Sequence, residues 1–189
     1  MRIISGSARG RNLVVPQGET RPTMDRTREA VFSILNDRVR DASVLDLFAG
    51  SGAYALEALS RGAKNAHLVD QSRNAAKAVR QNAKTLGFTD QVTVVETDVL
   101  TALGRLQGKA EGFDLIFADP PYANSASAEL LEAILPQEQL LPLLAPDGLL
   151  LLEVEAKAEN VFADAAGLEI LASRCYGTSR VEIYQLSDS

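Results

Sequence analysis

The chain has 189 residues, of which 46% are hydrophobic and 23% charged, a length and composition typical of one globular domain with a single core. Its single cysteine, Cys175, excludes an internal disulfide and a metal cluster built on cysteines. The longest apolar run, at 148–154, is strand-sized, and the basic N-terminus lacks the apolar stretch of a secretory signal, so we expect a cytoplasmic protein with no membrane partner.

The net charge of −6 is unevenly distributed along the chain. Residues 1–40 contain eight arginines and four acids, a net charge of +4, so the remaining residues carry −10. A basic segment on an acidic body is expected where one part of a protein meets a polyanion. A solvated, salt-bridged helix face has the same composition, and charge alone does not separate the two interpretations.

Residues 1–40 are predicted to form a separate N-terminal extension. Two apolar runs, at 2–5 and 12–15, flank an arginine-bearing turn and indicate a small hairpin. A helix follows, with Thr23 or Asp25 as its cap. Its apolar side is predicted to include Val31, Ile34 and Leu35.

From residue 41 onward, strand-like apolar runs alternate with stretches of helical period, which predicts a parallel sheet with helices on both faces. The clearest helix lies between Ser72 as its N-cap and Gly87 as its stop. Residues 168–186 contain two strand-like runs around a glycine turn and predict an antiparallel hairpin at one edge of the sheet. The candidate strands lie at 43–49, 65–70, 91–97, 113–118 and 149–154.

A glycine-containing turn joins the first predicted strand to the next helix. Gly50 and Gly52 let the backbone turn tightly and approach a ligand, and the sequence GSGAYA fits the dinucleotide pattern G-x-G-x-x-A. Asp70 ends the second strand 18 residues after Gly52, where a carboxylate can accept hydrogen bonds from ribose hydroxyls. These features indicate a nucleoside without specifying which one.

Acids stand at or near the ends of four successive predicted strands: Asp46, Asp70, Asp98 and Asp119. Ligands of open α/β sheets bind at this edge. The segment Asp119–Pro120–Pro121–Tyr122 is a stiff turn that offers acceptors and an aromatic plate. Two acceptors beside such a plate suit the exocyclic amine of a nucleobase, whose ring would stack on Tyr122.

The motifs VLDLFAGSG and ADPPY resemble those of class I S-adenosylmethionine-dependent methyltransferases that act on amino groups. RPTMDRTRE at 21–29 and FAGSGAYALEALSRGA at 48–63 are similar to the RsmD-type 16S ribosomal RNA guanine-N2 methyltransferases. The resemblance covers nearly the whole chain. It implies a Rossmann-like methyltransferase domain at 41–189, with the extension at 1–40 as its RNA-binding part.

The resemblance also implies roles for particular residues. The cofactor, S-adenosylmethionine, would be bound by Asp46, Phe48, Ala49, Gly50, Gly52, Asp70, Asp98 and Val99. The target base would be held by the catalytic residues Asp119, Pro120, Pro121 and Tyr122. RNA would be contacted by Arg9, Arg11, Arg21, Thr23, Arg26 and Arg28. No metal is expected, and we expect a monomer acting on 16S ribosomal RNA, as free RNA or as an assembled small subunit. One departure is Tyr54-Ala55, where this family usually has Leu-Gly.

Other functions remain open at this point. The same turn serves amino-methyltransferases acting on adenine N6 in DNA or RNA, or on a protein glutamine. An NAD-dependent oxidoreductase is favoured only by the glycine turn and Asp70, and would leave Asp119 to Tyr122 without a use. A non-catalytic RNA-binding protein would not require Asp119 and both glycines.

Overall fold

The computed structural model describes residues 1–16, 23–108, 112–120, 137–158, 162 and 167–187, without the side chains of Thr23, Met24 and Gln137. The α-helices in these residues are α1 (Thr23–Leu35), α2 (Ala53–Ser60), α3 (Arg73–Leu86), α4 (Val99–Leu106) and α5 (Gln137–Leu140). The strands are β1 (Ser43–Leu47), β2 (Asn65–Asp70), β3 (Val92–Glu96), β4 (Phe113–Ala118), β5 (Leu144–Glu155), β6 (Leu168–Tyr176) and β7 (Ser179–Leu186). Short 3-10 helices lie at Asn36–Val39, Thr89–Gln91 and Leu141–Leu143. Among the described residues, no helix has both the length and the apolarity needed to cross a bilayer.

The strands form one seven-stranded sheet in the order β3-β2-β1-β4-β5-β7-β6. Strands β1 to β5 pair in parallel, whereas β7 runs antiparallel to both β5 and β6. The predicted α/β class, mostly parallel with an antiparallel C-terminal hairpin, is therefore confirmed. After β3 the chain returns to the far side of β1, so the strand order reverses between β1 and β4. Open sheets of this kind bind their ligands at that reversal.

The two faces of the sheet are covered by different helices. One face packs Val44, Phe117 and Leu151 with α1, α2 and α3, and the other packs Leu45 and Ile116 with α4 and α5. Because alternate residues of a strand point to opposite faces, this pattern also fixes the direction of the side chains at the strand ends. Asp46, Asp70, Asp119 and Glu153 continue the alternation of residues that point toward α1, α2 and α3.

The N-terminal segment, residues 1–16, is bound to α2 through Glu57, whose side chain is fully buried. The Glu57 carboxylate accepts the backbone N–H groups of Ile4 at 2.7 Å and Ser5 at 3.0 Å, and it pairs with Arg61 at 2.8 Å. The predicted hairpin is present in short form: an antiparallel bridge joins Arg2 and Asn12, and the Ile3 N–H donates to the Arg11 carbonyl at 2.9 Å. The segment is thus held both by its own pairing and by its contacts with α2.

Helix α1 begins at Thr23, and the capping role of Thr23 or Asp25 stays a prediction, whereas the buried face of the helix differs from the predicted one by one position. Val31, Phe32 and Leu35 are buried, whereas Ile34 is 44% exposed. The prediction for Ile34 is therefore wrong. The reason is geometric: residues 31, 32 and 35 share one side of a 3.6-residue helix, and Ile34 falls outside it.

Candidate active site

The glycine turn between β1 and α2 has an unusual backbone. Phe48, Gly50 and Gly52 all have positive φ, at 64°, 53° and 79°. A Cβ at Gly52 would lie 3.0 Å from the Leu68 side chain, so a glycine is needed there for space as well as for conformation. Phe48 is not a glycine, and an aromatic residue in this region stores strain of the kind that collects at functional sites.

Asp70 organises this turn from the end of β2. Its carboxylate accepts the backbone N–H of Gly50 at 2.8 Å and that of Ser72 at 2.8 Å. Ala49 donates to the Val69 carbonyl at 2.9 Å, which fixes the turn to the same strand. An ionised carboxylate has about four lone-pair positions, so Asp70 has the capacity to accept ligand hydroxyls while it anchors the turn.

Asp46 lies beneath the turn and is only 3% exposed. Its carboxylate accepts the backbone N–H of Ala55 in the first turn of α2, at 3.2 Å. Burial raises the pKa of Asp46 to about 7, and the Asp70 carboxylate contributes to the rise, while the hydrogen bond from Ala55 opposes it. This side chain supports α2 from below, and its contact with the cofactor stays a prediction.

Asp98 and Val99 lie at the start of α4, beyond the end of β3. Asp98 is the N-cap of that helix, and its carboxylate accepts the Thr101 N–H at 2.9 Å, which lowers the pKa of Asp98. The Val99 side chain is buried in the core on the other face of the sheet. Both residues therefore have a structural role, and their predicted contacts with the cofactor stay predictions.

Asp119 leaves β4 next to the glycine turn. Leu47 pairs with Ala118, and Ala118 pairs with Leu152, so Asp119 emerges between Phe48 of the turn and Glu153 of β5. Asp119 is half-buried and Pro120 is buried. The structure thus brings together the turn and the start of the predicted catalytic segment. Pro121 and Tyr122, also predicted as catalytic, lie outside the described residues.

A small cleft, open to solvent, lies beside Asp119 on the face covered by α1 and α2. The residues around it are Val31, Tyr54, Phe117, Ala118, Asp119, Leu151, Glu153 and Val181. The cleft has apolar walls and carboxylates at one side. Within the stretches that the structure describes, no three His, Cys, Asp or Glu side chains are grouped so as to hold a metal ion.

Two residues of this cleft were not predicted as functional. The Tyr54 hydroxyl donates to the Glu153 carboxylate at 3.0 Å, and its ring stacks on Phe117 with centroids 5.1 Å apart. Burial, followed by the charges of Glu153 and Asp119, raises the pKa of Tyr54 well above its ordinary value, so the phenol keeps its proton. The available signal in the sequence was the position of Glu153 at the ligand-binding edge; its partner lies 99 residues away.

The predicted RNA-contacting arginines fall into two groups. Arg9, Arg11 and Arg26 are exposed, and Arg11 donates to the Thr85 carbonyl at 2.7 Å. Arg28 is different, since its side chain is 2% exposed and pairs with Asp25 at 3.0 Å and Glu57 at 3.8 Å.

We therefore reassign Arg28 from RNA contact to internal support of the extension. The predicted contacts of Arg21 and Thr23 cannot be placed on described side chains, because Arg21 lies outside the described residues and only the backbone of Thr23 is described.

Comparison with known proteins places this geometry in a family. Residues 1–185 match the family model described as "Conserved hypothetical protein 95". The "Ribosomal RNA small subunit methyltransferase D" of Haemophilus influenzae is 30% identical, over 98% of this chain and 93% of that protein.

Two solved structures bear on the fold. That of yhhF from Escherichia coli superimposes with a TM-score of 0.80 and 33% identity, covering 100% of this chain and 99% of that one. SMU.776, solved as a complex with SAH, shares the fold at a TM-score of 0.72 and 16% identity, over 88% of this chain and 50% of its own. From the span of the family match and its agreement with the motifs, the chain belongs to the conserved hypothetical protein 95 family, the RsmD family of methyltransferases.

Proposed function

We propose that this protein transfers a methyl group from S-adenosylmethionine to the exocyclic N2 amine of a guanine in small-subunit (16S) ribosomal RNA. The observation that carries the proposal is the position of Asp119. It leaves β4 beside the glycine turn of β1, where the strand order of the sheet reverses. Ligands bound at such a reversal meet both turns at once. The name of the Haemophilus influenzae relative supports small-subunit ribosomal RNA as the substrate.

The residues around the glycine turn fit S-adenosylmethionine. The cofactor is a cation at its sulfur and its amino group, and the Asp70 carboxylate lies on the face of the sheet where the turn opens. Asp70 would accept the ribose hydroxyls, and the glycine turn would approach the methionine part. When bound, the cofactor supplies an electrophilic methyl group.

Asp119 is proposed to orient the target amine. Its carboxylate accepts an N–H of the amine, which holds the nitrogen in place and makes its lone pair more available for attack. Placing nitrogen and methyl within about 3–3.5 Å supplies a large part of the rate. The nitrogen gains positive charge as the methyl moves and then loses a proton, and the Asp119 carboxylate stabilises that charge. Pro120, Pro121 and Tyr122 would fix the turn and stack on the base.

The exposed arginines of residues 1–40 are proposed as the RNA-contacting surface, with residues 41–189 as the methyltransferase domain. Arg9, Arg11 and Arg26 would bind phosphates, which positions RNA without reading its sequence. Arg21 and Thr23 are proposed to join this surface. The protein would act as a cytoplasmic monomer, without a metal, on ribosomal RNA or on the assembled small subunit.

The test is transfer of labelled methyl from S-adenosylmethionine to small subunits that lack the modification, followed by separation of the nucleosides. We expect label in N2-methylguanosine. Asp119→Ala should lower turnover by roughly a hundredfold or more. Its affinity for the cofactor should stay within about twofold of wild type, which is a change in binding free energy well below about 1.4 kcal/mol.

Asp147→Ala is the matched control, because this acid is exposed and lies in the first part of β5, at the opposite edge of the sheet. It should leave turnover unchanged. Label in another nucleoside would contradict the guanine assignment. Equal losses of turnover and cofactor affinity in Asp119→Ala would contradict the separate roles of the two turns.

A further inference from the structure

The cleft contains a second carboxylate, Glu153, at the same level of the sheet as Asp119. The pairing of Ala118 with Leu152 places Asp119 and Glu153 on neighbouring strands, whose backbones lie about 4.8 Å apart. Both continue the set of residues that points toward α1 and α2. A planar group held by Asp119 at this edge of the sheet therefore lies next to Glu153.

Tyr54 fixes the position of the Glu153 carboxylate. Its hydroxyl donates to one carboxylate oxygen at 3.0 Å. The Tyr54 ring is in turn held in an aromatic stack, 5.1 Å from Phe117 and 6.4 Å from Phe32 between centroids. A carboxylate has about four acceptor positions, so a donor from a ligand can bind Glu153 in addition to the contacts that Glu153 makes within the protein.

We propose that Glu153 is a specificity-determining residue, which accepts the N1–H of the target guanine while Asp119 accepts an N–H of its N2 amine. The inference rests on the proposed function. Guanine carries donors at both N1 and N2, whereas N1 of adenine is an acceptor that would face a negative carboxylate. Glu153 thus favours guanine by attraction and disfavours adenine by repulsion. Tyr54 is a positioning residue that acts through Glu153.

The experiment replaces the target guanine of the RNA with 2-aminopurine, which keeps the amine at C2 but has an acceptor at N1. Wild type should prefer guanine, measured as the ratio of kcat/KM for the two RNAs. A charge-assisted hydrogen bond predicts a ratio of roughly ten- to a hundredfold. Glu153→Gln can donate from its amide to N1 of 2-aminopurine, so its ratio should fall by about tenfold or more.

Two further variants make the result specific. Glu155→Gln is the matched control, since Glu155 lies on the same strand, is exposed and does not border the cleft; its ratio should equal that of wild type. Tyr54→Phe should lower the ratio partly, because it removes the hydroxyl that holds Glu153. Cofactor affinity is measured for each variant to show that the fold is intact.

The outcomes separate this inference from the proposed function. If wild type and Glu153→Gln both methylate guanine and have the same guanine to 2-aminopurine ratio of kcat/KM, the role of Glu153 is overturned and the proposed function stands. If wild type methylates no guanine in any ribosomal RNA substrate, the proposed function fails and this inference fails with it. The inference is supported if the guanine to 2-aminopurine ratio of kcat/KM falls in both Glu153→Gln and Tyr54→Phe but not in Glu155→Gln.

Discussion

Replacing the buried acid Asp46 by asparagine should change the pH dependence of stability. In the folded protein the pKa of Asp46 is raised from 3.8 to about 7. Between these two values the folded state holds a proton that the unfolded state has lost, so stability falls as the pH rises through this window. Above pH 7 the folded protein contains an ionised, buried carboxylate, and the loss is complete.

The size of the effect follows from the pKa values. Each pKa unit corresponds to about 1.4 kcal/mol, so a rise from 3.8 to about 7 costs the folded state about 4 kcal/mol above pH 7. Between pH 5 and pH 8, the free energy of unfolding of wild type should lose about 3 kcal/mol through this group. Asp46→Asn has no charge to develop, and its side-chain oxygen can still accept the Ala55 N–H.

Urea unfolding of both proteins at several values between pH 5 and pH 8 measures the difference. The free energy of unfolding of Asp46→Asn, relative to wild type, should increase by about 3 kcal/mol across this range. A cost of burying the N–H groups of the asparagine would lower the free energy of unfolding of Asp46→Asn equally at every pH. It would therefore not change how the difference from wild type depends on pH. Asp147→Asn, an exposed control, should show no such slope. A difference between Asp46→Asn and wild type that is the same at every pH would refute the reasoning.

Two predictions concern the N-terminal extension. Gly6 has a φ of +82°, and a Cβ there would lie 1.7 Å from the Ser60 carbonyl oxygen, so Gly6→Ala should lower the free energy of unfolding by about 3 kcal/mol or more. Gly10 has a φ of +81° but open space around it, so Gly10→Ala should lower that free energy by only about 1–2 kcal/mol. Equal losses for the two variants in urea unfolding would contradict the close contact at Gly6. Arg9→Ala and Arg11→Ala should each weaken RNA binding and reduce the slope of log K against log salt by about 0.7–1. An unchanged slope would remove these arginines from the RNA surface.

Much of the fold was predictable because its signals are local. The α3 helix runs between Ser72, whose side chain accepts the Ala75 N–H, and Gly87, which has the left-handed conformation expected after a helix. The limits of β2 and β4 match the predicted runs at 65–70 and 113–118. Such segments are specified by periodicity and end residues that lie next to each other in the chain.

The rest depends on contacts between residues that are distant in sequence. Arg28 belongs to a segment rich in exposed arginines, and only the packing of α1 on Glu57 shows that its side chain is internal. Tyr54 and Glu153 are joined by a hydrogen bond across 99 positions of the sequence. Tyr54 lies on α2 and Glu153 on β5, so their contact depends on how α2 packs on the sheet, which no local pattern of the sequence specifies.

The features that work against stability lie together at one edge of the sheet. Phe48 has a left-handed backbone, Asp46 is a buried acid with a raised pKa, and Asp119 stands before prolines that cannot donate hydrogen bonds. Away from this edge, the buried residues of β1 and β4 are apolar and pack against helices on both faces. Where a chain departs from the usual preferences for backbone conformation and for burial of charge at one place only, that place is expected to be a functional site. By this argument Asp46 belongs to the same group of residues as Asp119, and its contact with the cofactor stays a prediction.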